Sequence, residues 1–460
     1  LPMVQLLSPD GTYNNEAPES LRGKYIKEAE KDIKRDLESR GLLFEKKNHT
    51  HSYPHCWRCG TPLIYNAVSS WFINIQNVKA KMLSENEKVN WVPDHLKHGR
   101  FGKIVESAPD WTISRNRFWA SPLPIWKSKE GKVMVVGSVD EIKKHVKKSG
   151  NEYWVMRHGE AENNVKNIVT SDANNEYGLT EAGKSQTTAA ARKLSGITKI
   201  YASPVRRAKE TAEQVADTLG IQRSVIVYDQ RLSEFNFGEF NNKPFATFAD
   251  FRKNNMRSLS DAVPGGESYQ DAKTRFGNFI AEIDSALTKE KILIVSHGVA
   301  CESLLMVQDA LDDAASWKMV YEKTHGYAHI EKINYLPLPV NGRFELDLHR
   351  PYTDNLVLLD EEGNEYVRIP EVVDCWVESG SMPFAEYHYP FENKGEFEKR
   401  APGDFIAEYI AQTRTWFYYM HAMGVLLFDR IAFKNVVTTG TILAADGEKI
   451  SKSKRNYTDP

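Results

Sequence analysis

Apolar residues recur along this chain in more than one rhythm. Between residues 18 and 41, Leu21, Tyr25, Ala29, Ile33 and Leu37 return every four positions, which predicts one amphipathic helix closed by Gly41. A loop rich in His, Pro and Cys follows, "THSYPHCWRCGTPL", and then the strand-like "WFINI". Residues 91 to 126 are crowded with Trp, Arg and Pro, as irregular segments packed around sites often are. From 131 to 150, "GKVMVVGSVDEIKKHVKKSG" predicts a strand, a turn and a basic helix.

Past residue 150 the rhythm changes. Apolar strands ("EYWVMRHG", "KIYASP", "SVIVYD", "KILIVSHG") alternate with helical stretches such as "LTEAGKSQTTAAARKL" and "RRAKETAEQVADTL". That alternation predicts an α/β unit on a mainly parallel sheet. "LPLPVNGR" punctuates its end near residue 336, and the Trp- and Pro-rich style then returns. The layout is that of one domain inserted into another, with segments 1–70, 71–150, 151–335 and 336–460.

Composition narrows the class. Hydrophobic residues make up 41% and charged residues 27%, which describes a soluble globular chain. A net charge of −2 supplies no bulk basic field, so any nucleic-acid contact is local. Four cysteines make no secreted disulfide framework, and a cytoplasmic location is expected. Cys56 and Cys59 have the spacing of half a zinc site, but no second pair follows; a packed turn is expected rather than a metal. The apolar run "WFYYMHAMGVLLF" carries His421 and is too short for a bilayer. The chain opens on Leu1-Pro2 and stops at Pro460, and we read it as part of a longer polypeptide.

The inserted unit offers phosphate chemistry. A neutral imidazole that attacks phosphorus needs cationic donors around the equatorial oxygens and an acid for the leaving oxygen. Arginine suits the donor role because it is always charged and binds oxyanions bidentately. His158 with Arg157 follows one strand, His297 ends another, Arg207 lies in "SPVRRAKETA", and Glu234 lies in "RLSEFNFGEF". Ser203 is placed to cap the helix after "KIYASP", with Pro204 in its first turn.

In this order "RHGEAENN", "SPVRRAKETA", "LSEFNFGEF", "GGES" and "VSHG" resemble the histidine phosphatase (phosphoglycerate mutase-like) superfamily over about 151 to 335. The resemblance implies that His158 is the nucleophile and that Arg157, Arg207 and His297 form the phosphate pocket. It further implies Glu234 as proton donor, Asn164 as a pocket residue, no cofactor, and a phosphorylated small molecule as substrate. Ala161 stands where many members have threonine.

The flanks carry a second resemblance. "GEKISKSKRN" matches the KMSKS signature of class I aminoacyl-tRNA synthetases, with Ile450 in place of Met. "DWTISRNRFWASPLPIW", "PEVVDCWVESGSMPF" and "DFIAEYIAQTRTWFYYMH" resemble successive signatures of the isoleucyl enzymes, in their order, and "HSYPHCWRC" favours these over the valyl relatives. The implied fold is a Rossmann-like catalytic core split by the inserted α/β domain, entered from the C-terminal part of an editing domain. The implied function is ATP- and Mg2+-dependent activation of isoleucine and its transfer to tRNA(Ile). Lys449 and Lys452 would act on the polyphosphate, Glu408 and Gln412 on the aminoacyl-adenylate, and Trp119 and Trp416 on the aliphatic side chain. If 404 to 421 is helical, Glu408, Gln412, Thr415 and Trp416 share one face.

The HIGH signature, the heart of the editing pocket and the anticodon domain belong outside residues 1–460. These residues alone are therefore expected not to charge tRNA. Two other readings stay open: a phosphomonoesterase on a synthetase-derived scaffold, and an artefactual fusion.

Overall fold

The computed structural model describes residues 4–56, 59–172, 176–322, 325–450 and 455–457. The chain divides into two compact units, residues 1–73 with 110–113, and residues 74–109 with 114–460.

In the first unit the amphipathic helix is shorter than its apolar rhythm predicts, running over Ile26–Ser39. Gly23 takes φ +74 two residues before Tyr25, and a left-handed residue cannot sit inside a right-handed helix. Tyr25 is extended and becomes the N-cap. At the other end Gly41 has φ +65, the stop the sequence predicts. "WFINI" contributes only the two-residue strand Phe72–Ile73, antiparallel to Trp111–Thr112.

The second unit holds three main sheets. A three-stranded parallel sheet orders Gly403–Tyr409, Phe433–Thr439 and Asn90–Val92. The helix Trp416–Phe428 makes the crossover between the first two, with Phe417, Met420 and Met423 buried. A four-stranded antiparallel sheet orders Val357–Leu359, Glu365–Arg368, Ile125–Ser128 and Val133–Val135. Its central pairing sets Val367 against Lys127 and Arg368 against Trp126, joining chain from before and after residues 151–335. Lys147 N also donates to Val357 O at 2.9 Å. The strand, turn and helix predicted at 131–150 are present, the helix being Val139–His145 with Ser138 as its cap.

The third sheet is five-stranded: Ile330–Ile333, Glu152–Arg157, Lys291–Ser296, Lys199–Ala202, Ile226–Tyr228. All neighbours are parallel except the first pair, as the alternating pattern predicts. "ILIV" is apolar at every position because the strand is covered on both faces. Ile292 and Ile294 join one core cluster with Phe276 and Phe279, while Leu293 and Val295 join the other with Ala212 and Val215. Ile333 pairs with Tyr153, so the entry and exit of this sheet lie side by side. That is the geometry an insertion into a loop requires.

The segment after the last strand is also bound in. Phe344 belongs to the core cluster of the five-stranded sheet, and Leu338 to the cluster around Trp126 and Leu358. Gly277 faces the Phe344 ring, where a Cβ would stand 2.6 Å from ring carbons.

Candidate active site and the flanking motifs

Three strands of the five-stranded sheet end together, and ligands of open α/β sheets bind outside such carboxyl ends. Ser296 pairs with Arg157 in the ladder, which places His297 and His158 beside each other one residue later. Their rings are 5.2 Å apart, edge to face. The third strand, Lys199–Ala202, delivers Ser203 and then the helix Arg206–Leu219. The N-cap of that helix is Val205, not Ser203. Ser203 Oγ lies 2.8 Å from His297 Nε2 and also accepts from Val205 N at 3.3 Å, so the hydroxyl ties the ring to the start of the helix.

Arg207 sits in the first turn of that helix and is 1% exposed. Its Nε donates to His158 Nε2 at 3.0 Å and its Nη2 to Thr170 O at 3.0 Å. Glu234 Oε2 lies 3.5 Å from Arg207 Nη2 and 3.4 Å from His297 Nδ1, while its Oε1 accepts from Phe235 N at 2.9 Å. Arg157 Nη1 donates to His325 O, and its guanidinium stacks over the Tyr327 ring at 4.5 Å. Asn164 Oδ1 accepts from Ala161 N at 3.0 Å and lines the same cavity.

The His158 tautomer follows from its neighbours. Its Nδ1 lies 2.7 Å from Gly159 O, which can only accept, so Nδ1 carries the proton and Nε2 keeps the lone pair. Burial, then Arg207 and Arg157, hold this imidazole well below its usual range. Burial, then Arg207 and His158, do the same to His297. Burial pushes the Glu234 carboxyl up, against the pull of Arg207. Arg157 Nε and Arg207 Nη1 are buried donors with no hydrogen-bond acceptor, and His297 Nδ1 is buried with no hydrogen-bond partner. Buried donors cost free energy unless paired, and an oxyanion is the acceptor that suits the two guanidinium groups.

The structure thus brings together Arg157, His158, Arg207, Glu234 and His297, with Asn164 on the same cavity. Further ionisable residues line it, among them Arg252 of the helix Phe245–Asn255 and Glu302 of the helix Gly298–Gln308. The sequence signal for Glu302 is faint: a single acid inside the otherwise apolar "GVACESLLMV".

On the flanks the predicted helix over 404–421 is corrected. Residues Gly403–Tyr409 form a strand parallel to Phe433–Thr439, and the helix begins only at Trp416. Ladder pairing with a segment thirty residues away overrides the local four-residue stripe. Glu408 is therefore exposed at the carboxyl end of a parallel strand, opposite Thr438. Gln412 Oε1 accepts from Thr415 Oγ1, and from Trp416 N at 3.1 Å, capping the helix that Trp416 starts. Trp119 is 79% exposed and packs edge-on against Phe118, with no ring contact to Trp416 among the described residues. Lys449 is exposed in the loop after Phe433–Thr439 and accepts through its carbonyl from Asn456 Nδ2 at 3.2 Å. Lys452 lies outside the described residues. In the first unit, Gly60 N donates to Cys56 O at 2.8 Å, and neither Cys56 nor Cys59 forms a disulfide.

The comparisons with known proteins cover both the unit around His158 and its flanks. The family model for the histidine phosphatase superfamily (branch 1) matches residues 153–335. The model for class I tRNA synthetases (I, L, M and V) matches residues 15–177 and 339–460, more than half of the chain. The chain belongs to the class I tRNA synthetases, and it carries a histidine phosphatase domain.

Within that family its relatives are isoleucine–tRNA ligases. That of Treponema denticola is 29% identical over 95% of this chain and 22% of its own length. That of Bifidobacterium longum is 30% identical over 92% and 22%, and that of Chlamydia abortus 28% identical over 100% and 25%. The chain thus spans about a quarter of the length of the curated relatives it matches. Among solved structures, a mycobacterial glucosyl-3-phosphoglycerate phosphatase is similar at 25% identity over 39% of this chain and 91% of its own, with a TM-score of 0.35. Among the described residues no helix is long and apolar enough to cross a membrane.

Proposed function

We propose that residues 151–335 hydrolyse a phosphomonoester through a phosphohistidine on His158. The observation that carries this is the His158 ring itself: Nδ1–H is fixed on Gly159 O, and the unprotonated Nε2 is held by Arg207 Nε among buried guanidinium donors. In the first step Nε2 attacks phosphorus, the P–O bond to the leaving group breaks, and Glu234 gives that oxygen its proton. Arg157, Arg207, His297 and Asn164 hold the oxygens on which charge accumulates. In the second step water attacks phosphorus, Glu234 takes the water's proton, and the P–N bond breaks to return neutral His158. Burial serves both roles, since it keeps the imidazoles neutral and lets Glu234 start protonated. Rapid quenching with a 32P-labelled substrate tests this: acid-labile, base-stable label on the chain, lost in His158→Ala, is expected. Turnover with no such label sinks it.

The flanks, 1–70, 71–150 and 336–460, we assign to an isoleucine–tRNA ligase using ATP, isoleucine and tRNA(Ile). Glu408, Gln412 and Thr439 stand at the carboxyl ends of parallel strands, where an α/β core holds its ligands. Lys449 is an exposed cation in the loop that follows, which suits a polyphosphate, and with Lys452 it would hold that of ATP. ATP with Mg2+ supplies the activated phosphorus when bound. His158→Ala in the full-length parent protein separates the two activities: aminoacylation is expected to persist while phosphate release is lost. Loss of aminoacylation in that variant would count against two independent sites.

A further inference from the structure

The cavity in front of His158 has a volume of about 360 Å³, enough for one small metabolite. Its phosphate end is polar, but its mouth is not. Residues 151–335 expose four aromatic side chains among the described residues: Tyr228, Phe245, Tyr321 and Tyr327. Three of these, Phe245 at 50%, Tyr321 at 47% and Tyr327 at 37%, line this one cavity. Exposed rings are unfavourable in water, and their concentration at a single mouth marks a surface built to be covered.

Beneath the rings lies a second pair of polar groups that phosphate chemistry does not use. Arg252 Nη1 donates to Tyr269 OH at 3.0 Å, and its guanidinium lies 5.0 Å from the centre of the Tyr321 ring. Its Nε is buried without an acceptor. Glu302 lines the cavity and takes part in no hydrogen bond with a described residue. Burial pushes its carboxyl up to about 8, with Arg252 opposing, so at neutral pH it is a donor as well as an acceptor.

We propose that this cavity selects a phosphomonoester whose leaving group is a flat ring with hydrogen-bonding groups on its edge. Phe245, Tyr321 and Tyr327 hold the ring, and Arg252 with Glu302 read the edge. The inference rests on the phosphatase reading and adds the substrate class to it. A polyhydroxyl leaving group would leave the aromatic mouth in water, whereas a ring covers it. Stacking on aromatic side chains and a donor–acceptor pair at the edge are the recognition chemistry of a nucleobase or a substituted aryl group.

The test measures phosphate release by the full chain from adenosine 5′-monophosphate, 4-carbamoylphenyl phosphate, phenyl phosphate and glycerol 1-phosphate. The polar-edged rings are expected to exceed glycerol 1-phosphate by about tenfold or more in kcat/KM, mainly through KM. Phe245→Ala combined with Tyr321→Ala shrinks that advantage to about twofold, and Arg252→Met removes the preference for 4-carbamoylphenyl over phenyl phosphate. Whether the nucleotide or the carbamoylphenyl ester leads tells which source of ring the site serves. Should the double variant lose its fold, thermal protection of the unaltered chain by adenosine over glycerol reads the same contact. Equal kcat/KM for ring-bearing and ringless substrates, or equal protection, overturns the inference and leaves the phosphatase standing. Release from none of the four esters removes the phosphatase reading itself.

Discussion

Arg207 Nε points at His158 Nε2 across 3.0 Å, so the guanidinium holds by a hydrogen bond the atom proposed to attack phosphorus. Before substrate binds, this contact aims the ring; when phosphate arrives, the same donor is free to turn to an oxygen. Arg207 can make that exchange cheaply, because its Nη2 stays anchored on Thr170 O.

Replacing His158 by Ala is expected to lower phosphate release by about a thousandfold or more, since the step that forms the covalent intermediate disappears. Steady-state kinetics with a chromogenic ester, beside a thermal melt showing the fold intact, checks this. Activity within tenfold of the unaltered chain would place the nucleophile elsewhere.

Arg207 supplies both charge and a buried partner for Glu234. Where Glu234 is ionised, Arg207→Met leaves its carboxylate without its nearest cation, and loss of one member of a buried pair costs about 3–5 kcal/mol. Urea unfolding should show the loss growing as pH rises through the Glu234 titration. It should shrink in Arg207→Met with Glu234→Gln, where no charge remains to be compensated.

The pH dependence has a definite sign. The proposed reaction needs His158 neutral and Glu234 protonated. The imidazole is held well below its usual 6.5, so activity is lost on the acid side only well under that value. The carboxyl is raised above 4.5, so activity falls as pH rises through its shifted value. A kcat/KM profile with an acid and an alkaline limb is expected, and the alkaline limb should vanish, at much lower rate, in Glu234→Gln. Stability follows the histidines: below about 6.5 the unfolded chain takes up protons that buried His158 and His297 refuse, so the melting temperature drops as pH falls.

Gly277 tests how the return segment is fastened. A methyl group there meets the Phe344 ring at 2.6 Å, and overpacking of this kind costs about 1–3 kcal/mol. Gly277→Ala should lower the unfolding midpoint, and Phe344→Leu in the same chain should restore part of it. Independent, additive losses would mean the two side chains do not meet.

Gln412 makes a separate case on the flanks. Through its hydrogen bond to Trp416 N in the first turn of the helix, its replacement by Ala costs about 0.5–1.5 kcal/mol of stability. As an adenylate contact in the full-length parent, the same change should also raise KM for isoleucine. A stability loss with unchanged KM assigns the residue to the helix alone.

Much of this was legible from residues because the information is local. Arg157, His158 and His297 end apolar strands, and a parallel sheet of such strands brings their carboxyl ends to one edge. Of the two adjacent arginines in "SPVRRAKETA", Arg206 is exposed and paired with Glu210, whereas Arg207 points inward. Arg252 and Glu302 were not legible, because a lone ionisable side chain acquires meaning only from the cavity that chain folding builds around it. The stripe from Glu408 to Trp416 misled because strand pairing with Phe433–Thr439 is not written in local spacing. The start of the first helix was lost to one glycine in the left-handed region, whose φ depends on the turn it serves.

The register of Val367 on Lys127 also orders events on the ribosome. Val367 is synthesised about 240 residues after Lys127, which at about 5–20 residues per second is a delay of roughly 10–50 s. During that interval the hairpin of Ile125–Ser128 and Val133–Val135 waits with one edge unpaired, while the five-stranded sheet has all its strands by Ile333 and can close first. A nascent chain arrested before Glu365 should therefore hold a folded phosphatase unit beside a half-built sheet, and that edge is where a chaperone would bind.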